Sequence, residues 1–218
     1  MLSHMNFKNY ACIAVAIIAL AGCKKSTSKQ DPTPVSIPTP VIDPPKDQPT
    51  MIYTDLSGKS LKMQEAVAID LNKDGKNDVV FYTQYVADNL NNIVKLDFMA
   101  NSVVSSFLNF STDATTGDDI LPPLNSGQVI HEGLNSSEWY NVSAAVVMRR
   151  VENSTSRAVT WRGNWTDKGH LYLPIQVTKE GKKYYGWIEF EGSSQQEKLI
   201  FYKAAIATEA DKPVLAGQ

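Results

Sequence analysis

Residues 51–218 predict an all-β fold, an antiparallel β-sandwich for which a jelly roll is one arrangement, after a signal peptide (1–22) and a disordered Pro-rich stalk (23–50). Three observations carry this. Short runs of alternating apolar and polar residues recur, clusters of Gly, Asn, Asp, Ser and Pro separate them, and long helical periodicity is scarce. Strands are expected at 52–56, 64–70, 78–86, 93–99, 144–151, 158–165, 171–177, 183–191 and 198–204, with 97–108 readable as helix or strand. The stretch 111–127, with Asp118, Asp119 and Pro122-Pro123, reads as the largest irregular loop. With 168 residues to draw on, the domain can bury an ordinary core.

The amino end reads as an address. Tyr10 to Ala21 is an almost unbroken apolar run, too short for a confident membrane span and of signal-peptide proportions. It ends in Leu20-Ala21-Gly22-Cys23, which resembles the bacterial lipobox. The resemblance implies cleavage before Cys23 and lipidation of its thiol. Stable membrane anchoring would follow, because each buried methylene contributes about 0.8 kcal/mol. Lys24 in the next position resembles enteric lipoproteins sorted to the outer membrane, periplasmic or surface-exposed. The only other cysteine, Cys12, lies in the signal, so the domain has no disulfide, thiolate metal site or cysteine nucleophile.

From 24 to 50 large apolar residues almost vanish, and prolines stand at 32, 34, 38, 40, 44, 45 and 49. Such a segment favours extended polyproline II, and at about 3 Å per residue it would hold the domain some tens of ångströms from the membrane.

The most informative stretch of the domain is Asp70-Leu71-Asn72-Lys73-Asp74-Gly75-Lys76-Asn77-Asp78. Oxygen side chains occupy its first, third, fifth and ninth positions, and Gly75 allows a sharp turn. Asp70, Asn72, Asp74, Asp78 and the carbonyl of Lys76 are therefore the candidate ligands of a structural Ca²⁺. The twelfth position is Phe81 where an EF-hand needs a bidentate Glu, and both flanks read as strands. In this the segment resembles the calcium loops of FG-GAP and VCBS-type extracellular β repeats, although no second copy occurs and a propeller is not expected.

The last fifty or so residues resemble a group of uncharacterised exported bacterial β proteins, on Tyr184-Tyr185-Gly186-Trp187-Ile188 and the terminal Ala216-Gly217. That resemblance implies a domain type and no activity. If 178–182 is a hairpin turn, Leu171, Leu173, Ile175 and Val177 share a core face with Tyr184, Gly186, Ile188 and Phe190. The opposite face then carries His170, Tyr172, Gln176, Tyr185, Trp187, Glu189 and Glu191. Tyr172, Tyr185, Trp187 and Glu189 form a candidate ligand face there, of a kind that could stack on sugars; ordinary outer-face packing is the alternative. Trp161 and Trp165, on one face with Val159, read as core.

The formal net charge is −2 and no basic stripe occurs, which disfavours nucleic acid as a partner. His131-Glu132-Gly133-Leu134-Asn135 lacks the second histidine of a zinc-protease helix, and neither a nucleophile elbow nor a phosphate-binding glycine loop is present. The expectation is a non-enzymatic, lipid-anchored binding or adhesion module, its partner a glycan or a surface protein. A glycan hydrolase pairing Asp118 or Asp119 with Glu132 or Glu138, or a purely structural envelope protein, is the alternative. Neither an oligomeric state nor a named ligand follows from these patterns.

Overall fold

The structure is a computed structural model that describes residues 47–134 and 139–218. Cys23, the signal and most of the stalk lie outside the described residues, as does Glu138. Residues 41–218 pack as a unit of their own.

The described chain is all-β. Its first sheet runs in the order β1 (Met51–Asp55), β15 (Lys198–Ala207), β14 (Lys182–Ser193), β13 (Leu171–Lys179), β6 (Ser106–Asn109) and β10 (Trp139–Tyr140), with β2 (Ser60–Leu61) on β15. The second runs β3 (Ala66–Ile69), β4 (Val79–Asp88), β5 (Ile93–Ser102), β11 (Ala145–Asn153), β8 (Asp119–Ile120) and β7 (Ser111–Thr112), with β12 (Val159–Arg162) on β11. A small third sheet joins β16 (Val214–Leu215) to β9 (Val129–Ile130). Pairing between the described strands is antiparallel except where β8 meets β11 at Ile120 and Val146, and an isolated parallel bridge joins Thr166 to Gly192.

Alternation builds the interior. Leu173, Ile175, Ile188 and Phe190 of the first sheet meet Phe81, Phe98 and Val147 of the second in one core. Phe81 makes edge contacts with Phe190 and Phe201 across the layers, at centroid distances of 5.2 and 4.9 Å. The expected hairpin register holds, with Leu171 opposite Phe190 and Val177 opposite Tyr184. Its turn is tighter than expected, because strand pairing continues to Lys179 and Lys182. Glu180 and Gly181, both at positive φ (52° and 74°), close it in the manner of a two-residue hairpin loop. Pro174 is tolerated inside β13 because the ladder to β6 ends at Ile175, so no partner on that side needs its missing N–H.

Several expectations are adjusted. The ambivalent stretch 97–108 holds no helix: it is the end of β5, a turn at 103–105 and most of β6. The loop 111–127 contains the small hairpin of β7 and β8. The strand expected over 158–165 stops at Arg162, and Trp165 reaches the core from the following turn. Packing also begins before residue 51: Pro49 is buried, the Thr50 carbonyl accepts the Thr208 N–H at 2.8 Å, and Gln48 Oε1 accepts the Leu215 N–H at 3.2 Å.

Candidate functional site

The nine-residue loop 70–78 joins β3 to β4 at one end of the sandwich. Its base is fixed by apolar burial: Ile69, Leu71 and Val79 are all in the core. Between these anchors the backbone turns through Lys73 and Gly75, at φ of 60° and 85°. The side-chain oxygens face the loop's own amides. Asp70 Oδ2 accepts the Gly75 N–H at 2.8 Å, Asn72 Oδ1 the Asp74 N–H at 2.9 Å, and Asp74 Oδ1 the Lys76 N–H at 2.9 Å. Asp78 Oδ2 closes the base by accepting the Leu71 N–H at 2.8 Å.

Asp78 is only 6 % exposed. Burial pushes its carboxyl up to about 6; the Leu71 and Asn72 amides oppose that shift, and the charges of Asp70 and Asp74 add to it. None of Asp70, Asp74 and Asp78 is ion-paired to a described basic side chain. The donor set is all oxygen, with three carboxylates, one amide and the Lys76 carbonyl, which is the chemistry of a hard divalent cation. Among the described residues no three acidic, histidine or cysteine side chains are gathered into a metal cluster. Asp70, Asn72, Asp74, Lys76 and Asp78 fit calcium by donor type and order along the loop, and holding it would require their oxygens to draw together, Asp70 shifting one of the two that now accept the Asp74 and Gly75 amides.

The loop borders two depressions. One, of about 760 Å³, lies between Asn72, Asp74 and Asp78, the β5–β6 turn at Val103 to Ser105, and the β13–β14 turn at Thr178 to Glu180. The other, of about 220 Å³, runs from Asn72 and Asp74 to Ile52, Tyr184 and Ile206. Val104, at the rim of the first, is 86 % exposed. Sequence reasoning missed Val104, Ser105 and Glu180, and no local signal marks them; they join the site because the β3–β4 and β13–β14 hairpins and the turn that carries the chain from β5 in one sheet to β6 in the other end at the same edge of the sandwich.

No family model, curated protein or solved structure matches the chain. The site is therefore read from its own geometry.

The candidate aromatic face is corrected. Tyr185 and Trp187 are 3 % and 1 % exposed, in a second core with Leu124, Ile130, Leu134, Val214 and Ala216. The chain segments around β9 and β16 lie over the outer side of β14 and bury these rings. Tyr172 is half-buried with its ring edge-on to Trp187 at 5.3 Å, and Trp187 Nε1–H donates to the Gln218 carbonyl at 3.3 Å. Glu189 is turned to His170, whose Nδ1 lies 2.8 Å from its Oε1. These four residues are brought together, but the two largest rings present no stacking surface to solvent.

Two of the carboxylates considered for hydrolysis, Asp118 and Glu132, are committed elsewhere. Burial pushes Asp118 up, yet its hydrogen bonds to Arg149 and Thr116 and the charges of Arg149 and Lys95 leave it below the usual range. Glu132 is held down by hydrogen bonds from Lys183 and Tyr185. Neither is poised to donate a proton near neutral pH.

Proposed function

We propose that this chain is a lipid-anchored cell-envelope protein, an outer-membrane lipoprotein, whose β-domain is a calcium-stabilised, non-catalytic binding or adhesion module. The lipobox ending in Cys23 and the Pro-rich run after it support the anchor and the stalk. The observation that carries the calcium reading is the loop 70–78, where Asp70, Asn72, Asp74 and Asp78 supply side-chain oxygens in ligand order and no described basic side chain is ion-paired to the carboxylates. A bound divalent cation would offset the mutual repulsion of these acids and tie β3 to β4.

The binding reading moves from the buried aromatic face to the depressions beside the loop, where amide, hydroxyl and carboxylate groups lie next to exposed Val104. Such a mixed, shallow surface suits a polyhydroxylated ligand such as a glycan, or a surface protein, held by several weak contacts. The hydrolase alternative gains no support from Asp118 or Glu132.

Melting residues 41–218 in EDTA and in millimolar calcium tests the proposal. Binding selective for the native state at a hundred times Kd adds about 2.7 kcal/mol. The expected result is a higher Tm in calcium that Asp74→Ala abolishes. An unchanged Tm at every calcium concentration, with Asp74→Ala as stable as the parent, would refute it.

A further inference from the structure

Strand pairing sets Lys179 directly opposite Lys182 at the turn that joins β13 to β14, and both are exposed. Like charges that face each other across a ladder repel. Neither lysine is ion-paired to a described acidic side chain, and nor are Lys73 and Lys76, which stand exposed in the loop 70–78. Elsewhere Arg149, Arg150, Arg157, Lys183 and Lys212 each hold a carboxylate. Lys76 and Lys179 border the same depression as Val104, the exposed apolar residue of the β5–β6 turn.

At this end of the sandwich Lys73, Lys76, Lys179 and Lys182 stand against Asp70, Asp74, Asp78 and Glu180, so the charges balance. A divalent cation in the loop would tip that balance to positive. The chain also enters the domain here. The Thr50 carbonyl accepts the Thr208 N–H, and Ile52, Ala207 and Thr208 line the smaller depression with Asn72, Asp74 and Lys179. A tether of the kind read in 24–50 therefore joins the domain at the end that carries the lysines and Val104.

We propose that this end of the sandwich docks on an anionic lipid surface once the loop holds calcium. The proposal rests on the calcium and anchor readings above and adds a partner for them. Each lysine brought to such a surface raises partitioning about fivefold. Val104 supplies an apolar side chain for the headgroup boundary. Headgroup phosphate oxygens could complete the shell of an ion that takes roughly six to eight oxygens, of which the loop offers those of Asp70, Asn72, Asp74, Lys76 and Asp78. The anchor keeps the surface within reach, so contacts that are individually weak suffice.

The test sediments residues 41–218, which pack as a unit, with vesicles of phosphatidylcholine containing about one third phosphatidylglycerol, in EDTA and in millimolar calcium. Binding is expected in calcium alone, absent on pure phosphatidylcholine and weakened by high salt. Lys179→Glu combined with Lys182→Glu should lower partitioning roughly tenfold or more and keep the rise in Tm with calcium. Val104→Asp should also weaken binding, and Asp74→Ala should abolish both binding and the rise in Tm. A rise in Tm without vesicle binding would overturn this inference and leave the calcium reading standing; no rise in Tm would overturn both. Equal binding in EDTA, or undiminished binding by the double lysine variant, would overturn the docking surface. So would displacement by soluble glycerol phosphate at matched headgroup concentration, which would reveal a site for free phosphoesters.

Discussion

Gly217 lies against the ring of Tyr172, so close that a Cβ there would fall 2.8 Å from Cζ and 2.9 Å from the hydroxyl oxygen. Its φ of +81° also belongs to the region glycine enters most readily. The end of the chain is thereby seated on the outer face of β13 and β14, and Gln218 reaches the Trp187 indole. Gly186 has a matching role one strand away, since a Cβ there would sit 2.3 Å from the Ala205 carbonyl. The two glycines of the Tyr-Gly-Trp-Ile strand and the Ala-Gly ending thus have one explanation. Both allow close approach around Trp187.

Gly217→Val should lift the C-terminal segment from Tyr172 and expose Trp187. A loss of about 1–3 kcal/mol is expected from overpacking together with the unfavourable φ. Urea unfolding followed by indole fluorescence would measure it, with a red-shifted native spectrum as the accompanying sign.

Arg149 donates from Nε to Asp97 Oδ1 at 2.5 Å and from Nη2 to Asp97 Oδ2 at 2.9 Å, and its Nη1 reaches Asp118. The Arg149 and Asp97 side chains are 11 % and 6 % exposed. Arg149→Met alone should cost about 3–5 kcal/mol, because it strands the Asp97 charge in the sheet interior. Adding Asp97→Leu should recover most of that loss, and a double-mutant cycle in urea would show the coupling.

Trp165 has no exposed surface, stacks on Phe190 at 4.0 Å, and its Nε1–H donates to the Leu121 carbonyl at 2.7 Å. Trp165→Ala should cost about 3–5 kcal/mol. Trp165→Phe keeps an aromatic ring and leaves the Leu121 carbonyl without its donor, so a loss of about 1–3 kcal/mol is expected. Equal losses in the two variants would show that the ring contributes little.

Glu132 accepts from Lys183 Nζ and from the Tyr185 hydroxyl, and these contacts hold its carboxyl below the ordinary value of 4.5. Its contribution to stability is therefore present above that value and is lost as pH falls through the lower folded pKa. Glu132→Gln should flatten part of the acid limb of the stability–pH curve below pH 4.5 and leave the slope near neutrality unchanged. Denaturant midpoints collected across the acid range would decide it.

Features set by neighbouring residues are legible in the sequence. The β13–β14 register follows from a turn centred within 178–182 and the alternation of Leu171, Leu173, Ile175 and Val177, while the two-residue form of that turn came only with the structure. The spacing of oxygen side chains in the loop 70–78 is read directly from the sequence, whereas the burial of Leu71 at its base is a finding of the structure. The two glycines were legible only as a pattern, because the surfaces that crowd them come from other strands.

By itself, then, the sequence determined the strand-rich fold, the faces shared along β13 and β14, and the order of oxygen side chains in one loop. These depend on period-two geometry and turn chemistry, which act over a few residues. The tertiary structure alone decided what covers each face. Segments around β9 and β16 bury Tyr185 and Trp187, an ion pair joins Arg149 to Asp97 across more than fifty positions, and two hairpins with the β5–β6 crossing turn form the depression beside Asp74. Alternation shows which side chains point the same way; it carries no information about which distant segment will remove them from water.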